Sequence, residues 1–218
     1  MRRLIALVFL MIGGAFVTGT SHAQRVMTRI NIAAMQPGTA PPNFGFARTG
    51  EGAISAWKVV ADPTAAAQKA IAQTSTDRTD YRFPLAVYEP LMAANVEVGV
   101  RFKPVAGAVD RAGGIAVRLL SPDDYYVVRA NALEDNIRFY RVVNGRRQQI
   151  KGADLQIVSN QWHTLGLRAD GDRFTVSFDG KALFTAEDKT FADPGNVALW
   201  TKSDSVTHFD TIEITPFD

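Results

Sequence analysis

Asp170-Gly171-Asp172-Arg173-Phe174-Thr175-Val176-Ser177-Phe178-Asp179-Gly180-Lys181 is the stretch that decides the fold. Phe174, Val176 and Phe178 alternate with Arg173, Thr175 and Ser177, the period of two of a half-buried strand. An Asp-Gly dipeptide stands at each end. Type I′ hairpin turns need positive φ at both central residues, and Asp-Gly or Asn-Gly supplies it at the least steric cost. A third such pair, Asn144-Gly145, also separates two alternating runs. Upstream, Val96, Val98, Val100 and Phe102 alternate with Glu97, Gly99, Arg101 and Lys103. Further strands are predicted over 114–120, 125–130, 136–143, 148–151, 162–168, 181–185, 196–202 and 205–214. Many short strands, polar turns and no helical period make this an all-β chain of two packed antiparallel sheets. The alternating apolar side chains, among them Ile115, Val117, Ile137, Phe139, Leu165, Leu167, Val197 and Leu199, are expected between the sheets.

The first part of the chain is less regular. Residues 24–42 carry Pro37, Pro41 and Pro42 without a sustained period and read as a flexible, loosely draped segment. Residues 43–218 are expected to form a single sandwich domain. Within it, 53–60 around Trp57 and 69–74 read as strands, and 77–84 as a charged, aromatic loop. The Trp57 strand is expected to pair with residues 209–214.

Composition narrows the function classes. Arg2-Arg3, the apolar run 4–17 and the small residues around Ser21-His22-Ala23 predict a signal peptide, residues 1–23, and so a periplasmic or extracellular protein. The apolar run is shorter than the roughly 20 residues of a spanning helix, so no membrane insertion is expected after cleavage. Loss of Arg2 and Arg3 from the 24 basic side chains brings them level with the 22 acidic ones. That balance argues against nucleic acid as a partner. No cysteine is present, which removes thiolate metal sites, thiol nucleophiles and redox chemistry. His163 and His208 stand far apart, and Asp170, Asp172 and Asp179 read as turn residues; neither a metal nor a cofactor is predicted.

Two phrases carry a resemblance. Gln161-Trp162-His163-Thr164-Leu165, followed by Asp172 through Lys181, is similar to the rhythm of laminin-G and concanavalin A-like jelly rolls. The run Tyr126-Val127-Val128-Arg129-Ala130-Asn131-Ala132-Leu133-Glu134-Asp135-Asn136, with Leu199-Trp200-Thr201-Lys202-Ser203-Asp204-Ser205, resembles bacterial secreted proteins with a 3-keto-disaccharide-hydrolase-like domain. The resemblance covers 94–214 well and 43–90 weakly. It implies a concanavalin A-like jelly-roll β-sandwich that handles sugars on the concave face of one sheet, and it carries over no catalytic residue.

The alternation then names candidate ligand-binding residues. Arg118, Arg129, Arg138, Tyr140, Trp200 and Lys202 are all expected to face outward, and if their strands are neighbours they share one face. For residues 125–130 the alternation leaves two orientations open. Aromatic rings stack on sugars, and Arg or Lys hydrogen-bonds hydroxyls or holds carboxylates. With no acids in the same strands, the expected ligand is a saccharide, acidic or oxidised sugars preferred. An ordinary solvent face of a sandwich would carry similar residues. Trp162 reads as core. Glu134-Asp135 is the nearest thing to an acid/base pair, but adjacent loop acids usually only meet solvent, so catalytic residues stay unassigned. The leading reading is glycan binding or glycan processing. The alternatives are a non-enzymatic envelope adhesion or protein-interaction module, and a hydrolase of oxidised (3-keto) disaccharides.

Overall fold

The computed structural model describes residues 26–218. The predicted signal peptide falls on residues outside those described. In chain order the strands are β1 (Thr28–Arg29), β2 (Phe44–Gly50), β3 (Trp57–Ala61), β4 (Lys69–Gln73), β5 (Arg82–Ala93), β6 (Val96–Ala106), β7 (Ala112–Ser121) and β8 (Asp124–Asn131). They continue with β9 (Asn136–Val143), β10 (Arg146–Asp154), β11 (His163–Asp170), β12 (Arg173–Phe178), β13 (Lys181–Glu187), β14 (Gly195–Trp200) and β15 (Val206–Pro216). A single 3-10 turn, Ile32–Ala34, is the only helical element among the described residues. One sheet runs β13-β12-β11-β6-β15-β4-β3, with β1 joined to β15 as its eighth strand. The other, of seven strands, runs β10-β9-β8-β7-β14-β5-β2, and every pairing in both is antiparallel.

The alternation predicts the interior correctly. Val96, Val98, Val100, Phe102, Ile115, Val117, Ile137, Phe139, Leu165, Leu167, Phe174, Val176, Phe178, Val197 and Leu199 all lie buried in the cluster between the sheets. Tyr126 and Val128 join them, leaving Tyr125, Val127 and Arg129 on the outer face. Asn144-Gly145 and Asp179-Gly180 both have positive φ and form two-residue turns, closing Val143 on Arg146 and Phe178 on Lys181. The third hairpin turns one residue later than expected. Asp170 still pairs with Arg173, and Gly171 alone takes positive φ in the Gly171-Asp172 turn.

Three expectations are corrected. Residues 28–42 are not loosely draped: β1 pairs with Ile214 and Glu213, and Ile30, Ile32 and Met35 are buried in the core cluster. Three apolar side chains can anchor a segment that lacks a period. The Trp57 strand does not meet the last strand directly, because β4 lies between them, and β1 is the early segment that does. Finally, β2 and β5 were not expected at all. Pro84 and Pro90 hide the twelve-residue β5, yet neither breaks a ladder. Pro84 lies just past the last β14 pair, Trp200 with Leu85, and Pro90 sits in the bulge where the β14 register skips from Tyr88 to Met92.

Candidate functional site

The outer face of the seven-stranded sheet divides into an aromatic end and a charged end. At the aromatic end Trp200 stacks on Phe83 with ring centroids 5.3 Å apart, and its indole N–H donates to the Tyr125 hydroxyl at 3.3 Å. Thr49 Oγ1 lies 2.7 Å from the same hydroxyl, and burial pushes the Tyr125 phenol up to about 12. Above this layer the Arg147 guanidinium covers Phe83 and Tyr140, 4.9 and 4.4 Å from their ring centroids. Tyr81 packs edge-on against Phe83, its hydroxyl donating to the Gly145 carbonyl and accepting from the Arg147 amide. Trp200 is thereby 0 % exposed and presents no surface on which a ligand could stack. The expectation that its ring is an open platform is corrected on that ground.

The charged end gathers most of the remaining candidates. Arg129 on β8 and Arg138 on β9 are direct cross-strand partners. Arg129 donates to Asn136 Oδ1 at 2.5 Å, Glu134 Oε2 at 2.7 Å and the Tyr140 hydroxyl at 3.1 Å. Arg138 reaches Asp154 at 2.5 Å across β10, lying over Gly152, where a Cβ would collide with its side chain. Lys202, two residues past β14, bridges Asp80 Oδ1 at 2.8 Å and Asp110 Oδ2 at 2.9 Å. Asn131 donates to the other Asp110 oxygen at 2.8 Å. So Arg129, Arg138, Tyr140 and Lys202 stand together on this face, with Trp200 on the same face but beneath it.

Arg118 does not join them. It takes φ 48° in a bulge where β7 loses register with both β8 and β14, and a positive-φ residue leaves the alternation that placed it outward. Its guanidinium instead donates to the carbonyls of Ala94, Phe191 and Gly171 at 2.7, 2.7 and 2.5 Å. Lying 5.2 Å from the Phe174 ring, it braces the rim between the two sheets. Trp162 also departs from expectation. It is half-buried on the outer face of the other sheet, with Arg101 and Lys103 4.6 and 5.0 Å from its ring and its N–H on Thr64 Oγ1.

Asp80 and Asp110 were the unforeseen part of the site, and Glu134, weighed as half of an acid/base pair, was not expected to brace an arginine. Asp80, Asp110 and Glu134 sit in loops, where no period reveals which way a side chain points. Only tertiary contacts place them. The Asp204 carboxylate accepts the backbone N–H groups of Ala108, Val109 and Asp110 at 2.8, 3.1 and 3.0 Å, clamping the loop that carries Asp110. Arg82, wholly buried, holds the Ser203 carbonyl at 2.7 Å next to Lys202. Two carboxyls are pushed in opposite directions. Burial raises Asp110, with Lys202 and Arg129 only partly offsetting it. Burial also acts on Glu134, but Arg129 and Asn136 outweigh it and hold that group low. Lys202 loses to burial less than it gains from Asp80 and Asp110, so its ammonium is held charged.

No family model matches the chain, and no curated protein matches it either. Solved structures do match. The carbohydrate-binding module CBM66 from Bacillus subtilis aligns with TM-score 0.60 and 20% identity, over 79% of this chain and 96% of that one. A β-glucanase from Bacillus licheniformis aligns with TM-score 0.56 and 11% identity, over 88% and 98%. A Bacillus subtilis protein described as having a galectin-like fold gives TM-score 0.55 and 8% identity, over 78% and 88%. At these identities the likeness is one of fold: this chain is a concanavalin A-like jelly-roll sandwich of two antiparallel sheets. No helix among the described residues is long and apolar enough to cross a membrane.

Proposed function

We propose that the protein binds a saccharide at the charged end of the seven-stranded sheet, through Arg138, Lys202 and Glu134, with the buried Arg129 and Asp110 holding Glu134 and Lys202 in place, after export to the periplasm or beyond. One observation carries this reading: Arg129, Arg138 and Lys202 are each braced by an acid from a loop or neighbouring strand. Fixed donors and acceptors then alternate across a small area, as adjacent sugar hydroxyls require, since each hydroxyl both donates and accepts. The carbohydrate-binding and glucan-cleaving proteins that share the fold support it. The same bracing changes the expected ligand. A preference for acidic or oxidised sugars needed cations without acids nearby, and Glu134, Asp154, Asp80 and Asp110 supply them. Neutral, hydroxyl-rich sugars fit a charge-balanced site better. A glycan array with the exported chain identifies the sugar. Arg138→Ala should then weaken it roughly ten- to hundredfold, the worth of one or two charge-assisted hydrogen bonds. An unchanged isotherm would remove Arg138 from the site.

A second reading has its own observation, the opposite shifts of Asp110 and Glu134. Carboxyls driven apart in this way can divide acid and base roles, as a hydrolase of sugars, oxidised disaccharides included, would need. Release of reducing ends from the bound sugar, abolished by Asp110→Asn and by Glu134→Gln, would establish it; tight binding without product would favour the binding module.

A further inference from the structure

The opposite face of the molecule carries a recess. On the outer side of the eight-stranded sheet a trough of about 450 Å³ runs over β12, β11, β6 and β15. Its floor is a cross-strand pair of glycines, Gly99 on β6 and Gly166 on β11, flanked in register by Ser177 and Glu213. We propose that this trough is a second saccharide site, which takes a neutral, linear oligosaccharide laid across the Gly99–Gly166 floor.

Glycine weakens a strand interior, so two facing each other in central strands call for a reason. Neither marks a bulge, because the β6–β11 register is unbroken through them. Neither takes positive φ. At Gly99 packing gives no reason either, since a Cβ there would meet nothing within 4 Å, whereas at Gly166 a Cβ would collide with Ser177 Oγ, 2.3 Å away. What Gly99 does is expose flat peptide backbone at the bottom of a recess, where a ligand can approach closely, while Gly166 beside it makes room for the Ser177 hydroxyl on the trough wall. The walls are hydroxyls. Thr175, Ser177, Thr211 and Thr215 line the trough, and none of these hydroxyls is engaged by another group among the described residues. The charges around them are already satisfied within the chain. Arg101 pairs with Asp210 at 2.5 Å, Arg168 with Glu97 at 3.2 Å and Asp170 at 2.8 Å, and Glu213 accepts from Arg29 Nε at 2.9 Å. A charged ligand would have to break one of those pairs, whereas a neutral polyol adds hydrogen bonds to them. At one edge the exposed Met27 offers an apolar contact for the ring C–H groups.

The test is an NMR titration of the isotope-labelled protein with cellohexaose, laminarihexaose and xylohexaose. The Gly99 and Gly166 amides should shift saturably with at least one of them. Gly99→Val should lower the affinity at this face more than tenfold while the melting temperature holds or rises, because valine is the better strand residue and finds room there. Arg138→Ala should leave the Gly99 response intact. A response at Arg129 and Arg138 with silent glycine amides would overturn the second site and leave the first standing. An unchanged affinity at this face in Gly99→Val would overturn it too. Silence at both faces with all three sugars would count against both.

Discussion

The two outer faces of the sandwich are built on different plans. On the seven-stranded sheet, Phe83, Leu85, Tyr125, Val127, Tyr140, Val142, Ala198 and Trp200 form a second buried cluster outside the main core. Long side chains roof it, and its charged end is fixed by loops. On the eight-stranded sheet the outer positions are mostly Thr, Ser, Gly and paired ions, a single layer with open backbone at its centre. An aromatic residue therefore means different things on the two sheets. On the first it is a structural member, and the polar groups beside it are the recognition elements. On the second it is an amphipathic side chain lying across a polar surface.

The largest effect should come from breaking the buried layer. Trp200→Ala removes a wholly buried indole that stacks on Phe83 and bonds Tyr125, and it should cost about 3–5 kcal/mol, read from the urea midpoint. A loss under about 1 kcal/mol, with sugar binding abolished, would show instead that the ring is a ligand platform.

Next is the clamp on the Asp110 loop. Three backbone N–H bonds hold the Asp204 carboxyl below its usual range against the opposing pull of burial. Its folded pKa lies below the unfolded value of about 3.9, so its contribution is full above about pH 4 and is lost as the pH falls through the folded pKa. Asp204→Asn should cost about 1–3 kcal/mol at neutral pH and flatten part of the acid limb of the stability profile. Asp110 carries the reverse sign. Its folded pKa is raised, so its contribution is full below about pH 4 and fades as the pH rises through that raised value. Relative to the wild type, Asp110→Asn should therefore fare better as the pH increases from 4. An acid limb unmoved by Asp204→Asn would break this account of how the site is held.

The contrast also explains what could be read from the chain. Wherever alternation is unbroken, as in Val96–Phe102 or Asn136–Val143, period two fixes both strand and face, and it put Arg138 and Tyr140 on one side; for Arg129 it left two orientations open, and the burial of Tyr126 and Val128 decides between them. Alternation failed at Arg118, where a bulge inverts the period, and at β5, where Pro84 pairs with Arg48 on the β2 side beyond the last β14 pair and Pro90 sits in a bulge, so neither proline breaks a ladder. It could say that Trp200 faces outward but not that Phe83 and Arg147 cover it, because covering is a tertiary fact. Asp110 comes from a loop whose direction depends on Asp204, far from it in sequence, and Asp80 is tied to the site only through Lys202. Half of the candidate site was thus legible, the half carried by strands.

The smallest effect, and the sharpest check on the comparison, is Trp162→Ala. The sequence made Trp162 a core residue, and a core indole would cost as much to remove as Trp200. In the structure it is half-buried, with Arg101 and Lys103 over its ring and one hydrogen bond to Thr64. Cation–π contacts at exposed sites contribute about 0.5–1 kcal/mol each. The two cations lose little else, because Arg101 keeps Asp210 and Lys103 keeps Asp62. Trp162→Ala should therefore cost about 1–2 kcal/mol in the same urea titration. The gap between the two tryptophan variants measures how far the two faces differ. If Trp162→Ala matched Trp200→Ala in cost, the outer face of the eight-stranded sheet would hold a second buried layer of its own, and the single-layer description would fail.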